Sequence, residues 1–245
     1  MNIHWTNQSY STFAIYQSMQ LPLLYQLKGN NFLLSSQRCL FWIEQKILIV
    51  TDLHLGKSGH FRKNGIAIPQ TIFKEDIQRL FDQITFYKPT RLIIVGDLFH
   101  SVANKELDLF IKWRKDFSSL HFHLVKGNHD ILEINWYTNA AIQVSKVDLL
   151  VDGFQFIHDI KNITTPSSLI KYTFSGHIHP GIRLDGGNRQ SLHFPCFYFG
   201  NDYAVLPAFS RFTGLQLIEP LKNDTVFALL PCNYLNGDQA RVIKI

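Results

Sequence analysis

The chain has 245 residues, and its 46% of hydrophobic side chains is enough to build the core of one α/β domain. A formal charge of +5 is too modest to identify a polyanionic partner. The cysteines Cys39, Cys196 and Cys232 are odd in number, widely spaced and without a CxxC motif, which argues against a disulfide framework and a thiolate zinc site, so we expect buried thiols. No apolar run approaches the roughly 18 residues of a membrane-spanning helix, and no Lys or Arg precedes Lys28, so we expect a cytoplasmic protein without membrane association.

The first 20 residues differ in character from the rest of the chain. They are rich in Asn, Gln, Ser and Tyr and show little periodicity. Clear strand signals begin only at residues 32–34 and 39–42, where apolar side chains cluster. We therefore predict an N-terminal extension over residues 1–20 and a single domain over residues 21–245.

Strands and helices alternate through the middle of the chain. Continuous apolar runs such as residues 46–50 are typical of buried parallel strands. The first helix is predicted to begin near Pro69 and to present Ile77, Leu80 and Phe81 on its apolar face. The predicted elements are strands at 46–50, 91–95 and 122–125 and helices at 69–88 and 103–120.

The second half of the chain contains mostly short strands. They are predicted at residues 147–151, 154–158, 172–175, 197–199, 204–206, 215–218 and 226–230. A βαβαβ unit followed by such a β-rich return predicts an α/β fold with two packed sheets flanked by helices.

Residues of the types that bind metals follow most of these strands. Each motif alone is also a common turn. However, alternating His residues on an extended segment place two imidazoles on one face. The five motifs also follow one another along the chain, most of them directly behind a predicted strand. Carboxylate, amide and imidazole ligands on strand-end loops can converge on a pair of divalent cations, which is a standard arrangement for attack at phosphorus. The motifs are Asp52-Leu53-His54, Gly96-Asp97, Gly127-Asn128-His129-Asp130, His158 and Gly176-His177-Ile178-His179.

This order of motifs resembles the calcineurin-like metallophosphoesterase superfamily, which implies two packed mixed β-sheets flanked by helices in an αββα sandwich. The continuations Leu55-Gly56-Lys57 and Leu98-Phe99-His100-Ser101 narrow the resemblance to the ligase-associated DNA damage response endonucleases, the PdeM family. Later segments that fit the same family include Pro180-Gly181, Arg189-Gln190-Ser191-Leu192 and Leu206-Pro207-Ala208-Phe209.

The resemblance implies two divalent metal ions and a role for each motif residue. Asp97 would bridge the ions, and a hydroxide bridging them would attack phosphorus. His129 would protonate the leaving oxygen, although it can also be read as an outer contact or a further ligand, and Asp130 would orient His129 or another imidazole. Mn²⁺ is the first expectation, with Fe or Zn²⁺ also suited to mixed nitrogen and oxygen ligands. The implied ligand sets are Asp52, His54 and His179 for one ion and Asn128, His158 and His177 for the other.

DNA is the substrate that the narrower resemblance implies, with single strands or distorted duplexes favoured. It also implies a functional association with a DNA ligase and a helicase. Asp159 departs from the Glu-Pro expected after the lone histidine, which leaves the role of that neighbour open. The candidate substrate contacts are Lys57, His60, Arg62, Lys63, His100 and Arg189, although the basic loop among them can equally be a solvated surface.

Two other functions remain open at this point. The same ligands serve phosphoesterases that act on small molecules such as cyclic nucleotides or pyrophosphates, so the ligands alone do not select DNA. Some members of the superfamily are protein-binding scaffolds with a decayed site, but that interpretation predicts missing ligands, and every expected position is filled here.

Overall fold

A computed structural model describes residues 21–56, 71–99, 105–163, 168–186, 191–231 and 240–245. The predicted extension at residues 1–20 lies outside these described residues. So do Cys232 and every predicted substrate contact, namely Lys57, His60, Arg62, Lys63, His100 and Arg189.

The first sheet has seven strands that lie side by side in chain order. The first four are antiparallel neighbours, whereas β4 to β7 run parallel to one another. The strands are β1 (Leu23–Leu27), β2 (Asn30–Ser35), β3 (Cys39–Trp42), β4 (Ile47–Thr51), β5 (Arg91–Val95), β6 (His121–Val125) and β7 (Ile142–Ser145).

The second sheet has nine strands, and its order is not that of the chain. The main path runs β14-β11-β12-β13-β10-β9-β8, and β15 joins β12 to β16. Strand β10 runs parallel to both β9 and β13. The strands are β8 (Asp148–Val151), β9 (Phe154–Ile157), β10 (Tyr172–Ser175), β11 (Pro180–Asp185), β12 (Ser191–Phe199), β13 (Tyr203–Val205), β14 (Gln216–Leu217), β15 (Thr225–Leu230) and β16 (Arg241–Lys244).

The described α-helices are α1 (Thr71–Tyr87), α2 (Lys105–Lys115) and α3 (Ile134–Asn139), and all three contribute to the core on the outer face of the first sheet. Helix α1 buries Ile77, Leu80 and Ile84, which recur at helical spacing along one face. Phe81 was predicted on that face but is 38% exposed, because it lies one position beyond the buried stripe.

Helix α2 ends five residues before the predicted Leu120. The chain leaves the helix in tight turns, with Phe117 N–H donating to Arg114 O (3.1 Å) and Leu120 N–H to Phe117 O (3.0 Å). The Arg114 guanidinium fixes these turns by donating to the carbonyl oxygens of Phe117 (2.6 Å) and Leu120 (2.9 Å). The apolar periodicity of residues 116–120 therefore belongs to a turn packed against the core.

Strand β4 shows why the sequence folds as a layered structure. Leu48 and Val50 point into the core shared with the helices, whereas Ile47 and Ile49 point into the core between the two sheets. A strand covered on both faces is continuously apolar, and each fully buried aliphatic side chain contributes roughly 1.5–3 kcal/mol. The predicted fold class, two mixed sheets with flanking helices, is confirmed. Among the described residues, no helix has the length and hydrophobicity needed to cross a membrane.

Candidate metal centre

The predicted motifs meet at one edge of the sandwich because parallel strands present their carboxyl ends together. Asp52 follows β4 directly, while Asp97 and Asn128 lie on the loops after β5 and β6. His158 follows β9, and His177 lies just beyond β10 in the second sheet. Ligand sites at the carboxyl ends of strands are the rule in open α/β sheets.

One cluster of ligand-type atoms contains Asp52, His54 and His179, which lie within 4.8 Å of one another. The Nε2 atoms of His54 and His179 are 3.3 Å apart, and Asp52 Oδ1 lies 3.5 Å from His179 Nε2. Asp52 and His54 are buried, so this cluster is largely shielded from water.

A second cluster contains Asp97, His158 and His177, again within 4.8 Å. His177 Nδ1 lies 3.1 Å from His158 Nε2. The side-chain oxygen of Asn128 is 3.0 Å from the same His158 Nε2, so the amide joins this cluster.

Asp97 lies between the two clusters. Its Oδ2 is 3.8 Å from His54 Nε2 in the first cluster and 3.5 Å from His158 Nε2 in the second. Its other oxygen, Oδ1, accepts a hydrogen bond of 2.9 Å from the backbone N–H of His129. One carboxylate oxygen therefore faces both groups while the other is held in place.

Several of these residues have left-handed backbone conformations. Non-glycine residues seldom adopt positive φ, and they keep it only where the surroundings impose it. Here the N–H of Asp52 donates to Gly96 O (3.1 Å) and that of His54 to Asp97 O (2.8 Å), which cross-links the first two motifs. The φ angles are 51° at Asp52, 46° at His54, 51° at Asp97, 70° at His177 and 50° at His179.

Glycine is required beside two of these candidate ligands for steric reasons. A Cβ at Gly96, whose φ is +80°, would lie 2.0 Å from His158 Nδ1. A Cβ at Gly127 would lie 2.2 Å from Asp97 Oδ1. The glycines in these motifs therefore permit side chains from neighbouring loops to approach the backbone closely.

The donor set fits divalent cations. Among the described residues, Asp52 Oδ1 is buried without a hydrogen-bond partner, which is costly for a carboxylate unless a cation neutralises it. Two pairs of imidazole nitrogens also approach within 3.1 and 3.3 Å, so the two nitrogens of each pair, once deprotonated, can direct their lone pairs at one cation. Imidazole, carboxylate and amide donors together suit Mn²⁺, Fe or Zn²⁺.

Electrostatics couple Asp97 to His158. Burial by itself would raise the pKa of Asp97, but the hydrogen bond and charge of His158, with smaller effects from His129 and His54, lower it to about 2. Burial would likewise lower the pKa of His158, but Asp97 and Asp52 raise it to about 9. In the metal-free protein the pair is therefore charged at neutral pH.

His129 and Asp130 occupy different environments. The His129 side chain is 40% exposed, and its Nε2 lies 3.9 Å from Asp97 Oδ2, so it borders the centre on the solvent side. Asp130 is buried, and its oxygens accept from the backbone N–H groups of Leu98 (2.9 Å) and Gly127 (2.9 Å). This differs from the predicted contact with an imidazole, because the carboxylate ties the second motif to the third through their backbones.

Asp159 has a position that the sequence did not specify. Its Oδ2 lies 3.8 Å from Nε2 of His177, whose Nδ1 faces His158. This distance is too long for a hydrogen bond, but a nearby negative charge favours a proton on the outer nitrogen, and the inner nitrogen is then free to bind a metal. In the sequence, the signal for this contact is that the carboxylate of Asp159 directly follows the candidate ligand His158. That position does not indicate that Asp159 lies near His177.

The sequence profile described as calcineurin-like phosphoesterase matches residues 45–205, a span that includes both clusters. The chain belongs to this family. Both ligand-type clusters are present within the matched span, so the predicted class of enzyme, a metal-dependent phosphoesterase, is confirmed.

Two solved structures resemble the chain to different degrees. The nuclease MPE of Pseudomonas putida is 26% identical to this calcineurin-like phosphoesterase over 84% of this chain and 96% of that chain, with a TM-score of 0.72. Yfce, a phosphoesterase from E. coli, is 11% identical over 81% of this chain and 97% of that chain, with a TM-score of 0.40. No curated protein matches the sequence.

Proposed function

We propose that the chain is a phosphodiesterase that cuts DNA within a strand at a centre of two divalent metal ions. The carrying observation is the position of Asp97, whose Oδ2 faces both ligand clusters. The similarity to a nuclease from Pseudomonas putida supports a nucleic acid as substrate. The closer motif resemblance described above supports a role in DNA repair beside a ligase and a helicase.

The residues that would hold the ions follow from the two clusters. When bound, a pair of divalent cations supplies Lewis acidity toward the phosphate and the attacking water. The proposed ligands are Asp52, His54 and His179 for one ion, Asn128, His158 and His177 for the other, and Asp97 for both.

His129 is the proposed proton donor. Its side chain is accessible to a substrate, while its backbone N–H is fixed on Asp97 Oδ1. That bond places the ring beside the centre, where it can give a proton to the departing oxygen. Asp130 would act indirectly by holding the loop that carries His129.

The test uses closed circular single-stranded DNA and a nitrophenyl phosphodiester in parallel, with Mn²⁺, Fe²⁺, Zn²⁺ and Mg²⁺ compared. We expect linearisation of the circle with Mn²⁺, and binding that weakens with salt because phosphate contacts release counterions. Replacing Arg62 and Lys63 together by Ala should flatten the salt dependence and spare hydrolysis of the small diester. An intact circle under conditions that hydrolyse the small diester would instead favour a small-molecule phosphoesterase.

A further inference from the structure

The segment that follows β13 lies along the loop after β4, which carries Asp52 and is called the first metal loop. The N–H of Phe209 donates to Thr51 O (2.8 Å), and the N–H of Ser210 donates to Asp52 O (3.2 Å). The Thr51 hydroxyl donates to Pro207 O at 3.2 Å. Residues 207–210 therefore hold the backbone of the loop on which Asp52 lies.

Arg79 of α1 also binds this segment. Its Nη2 donates to Phe209 O and, at 2.8 Å, to Asp76 Oδ1. Its guanidinium also stacks on the Phe209 ring, with Cζ 4.2 Å from the ring centroid. Arg79 and Asp76 are 8% and 6% exposed, so the pair is fixed in the protein interior.

Arg38, on the turn between β2 and β3, holds the same segment. Its Nη1 donates to Ser210 O (2.7 Å) and Ala208 O (3.3 Å). Arg38, Arg79 and Asp76 together are called the arginine clamp below. Its two guanidinium groups bind three successive carbonyl oxygens, those of residues 208, 209 and 210.

We propose that Arg38 and Arg79 are positioning residues for the metal ligand Asp52. The φ of Asp52 is 51°, and its backbone is held on both sides, by Gly96 O at its N–H and by the Ser210 N–H at its carbonyl oxygen. A backbone in this region relaxes when its restraints are removed. Without the clamp the segment 208–210 shifts and the Asp52 backbone loses one restraint. Its carboxylate, which also accepts from the His177 N–H (3.0 Å), is then held less firmly in the position that faces His54 and His179.

This inference rests on the proposed function only in taking Asp52 as a metal ligand. Losing a group that hydrogen-bonds directly to a metal ligand typically weakens metal affinity by about 10- to 100-fold. The clamp acts through one further hydrogen bond, so its loss belongs at the lower end, about 10-fold. The clamp variants should therefore bind metal more weakly even where the fold is intact.

The chain offers a matched control in Arg114 of α2. It also donates to loop carbonyl oxygens, those of Phe117 (2.6 Å), Leu120 (2.9 Å) and Ala141 (3.2 Å), and stacks on Phe122 at 4.1 Å. These carbonyls precede β6 and β7 and do not lie on a metal loop. Arg114→Ala reproduces the loss of a buried guanidinium without touching the support of Asp52.

The experiment measures Mn²⁺ binding by calorimetry on the metal-stripped full-length protein and on the Arg38→Ala, Arg79→Ala, Arg79→Lys and Arg114→Ala variants. Circular dichroism fixes a temperature at which the variants are folded. We expect Mn²⁺ affinity to fall about 10-fold in Arg38→Ala and Arg79→Ala, and to stay within about twofold of wild type in Arg114→Ala. Because Lys cannot donate as a planar fork, Arg79→Lys should be weakened as well.

The outcomes separate the two proposals. Clamp variants with wild-type affinity, or an Arg114→Ala variant weakened as much as they are, would overturn the positioning role while leaving the metal centre intact. A wild-type protein that takes up no Mn²⁺, Fe²⁺ or Zn²⁺ would instead overturn the proposed function. If Arg79→Ala does not fold, Arg38→Ala and Arg79→Lys decide the matter.

Discussion

Asp97 is the residue whose charge matters most to the centre, because its Oδ2 is the atom that faces both clusters. We predict that Asp97→Asn abolishes turnover and lowers the metal content below two ions per chain. Asn keeps the size and tolerates the left-handed backbone at this position, so the loss reports charge and ligation. Elemental analysis and the hydrolysis rate are measured together, and two tightly held ions with normal activity would disprove the bridging role.

The exposed ring of His129 makes a prediction about leaving groups. His129→Ala should lose on the order of 10²–10⁴ in rate on DNA, whose leaving alkoxide needs a proton. A nitrophenolate needs little protonation, so the loss on a nitrophenyl diester should be much smaller. Equal losses on both substrates would show that His129 binds substrate or metal instead.

His158 makes metal binding depend on pH. Its pKa of about 9 in the metal-free protein means that a proton occupies it at neutral pH and must leave before a metal binds. Metal affinity should therefore rise with pH up to about 9 and fall as the pH decreases from there. Calorimetry in buffers of different ionisation enthalpy measures the protons released, and zero release at pH 7 would contradict the prediction.

The residues predicted as ligands lie together in the structure, but the sequence did not indicate which groups support them. Asp52, Asp97 and His158 stand out because acidic or imidazole side chains directly after an apolar strand are chemically conspicuous. Arg79 is inconspicuous, since a helical arginine that binds distant backbone carbonyls leaves no local pattern. The sequence predicts an imidazole as the partner of Asp130. Its actual partners are backbone N–H groups, which occur at nearly every position and so leave no recognisable pattern in the sequence.

At the level of elements, the predictions succeeded where a strand is buried on both faces. Strands β4 and β5 were found within about a residue because they are continuously apolar. Helix α3 was missed because its six residues, Ile-Asn-Trp-Tyr-Thr-Asn, are poor helix formers, and β11 because it begins with Pro-Gly. Both depend on tertiary contacts that a local pattern does not carry.

Gly96, in the loop after β5, can be compared with Gly29 to separate the overlap of an added Cβ with its neighbours from the strain of a positive φ. Gly96 and Gly29 share a φ of +80°, but among described atoms a Cβ at Gly29 meets nothing within 4 Å, whereas one at Gly96 would overlap His158. We predict that Gly29→Ala costs about 1 kcal/mol or slightly more and keeps metal affinity. Gly96→Ala should lose metal affinity as well. Urea unfolding and metal titration are measured on both variants, and equal metal affinities would show that His158 can move aside.

At the scale of the whole molecule, the centre joins the two sheets. Each cluster draws on both, with Asp52 and His54 from the first sheet beside His179 from the second, and Asp97 beside His158 and His177. Ions bound there would stabilise the packing of one sheet on the other.

Chelation should therefore destabilise the entire fold. At a metal concentration 100 times its dissociation constant, each bound ion contributes about 2.7 kcal/mol. At roughly 2–4 °C per kcal/mol for a chain of this size, the Tm should fall by about 5–10 °C for each ion that a chelator removes. Calorimetric scans with and without chelator measure the difference. The Asp97→Asn variant should show a smaller shift, and an equal shift would mean that the metal stabilises the protein elsewhere.

The left-handed backbones of the candidate ligands narrow which mutations the loops can accept. Asp, Asn and His are among the non-glycine residues most often found at positive φ, and they are also metal-ligand types. Selection for the loop shape and selection for metal binding therefore favour overlapping residue types at Asp52, His54, Asp97, His177 and His179. A library screened for folding alone, without metal, should still be depleted of Val, Ile and Thr at these positions and enriched in Gly and Asn. A lineage that lost its metals would drift slowly there, because the conformation constrains these positions even after the chemistry no longer does.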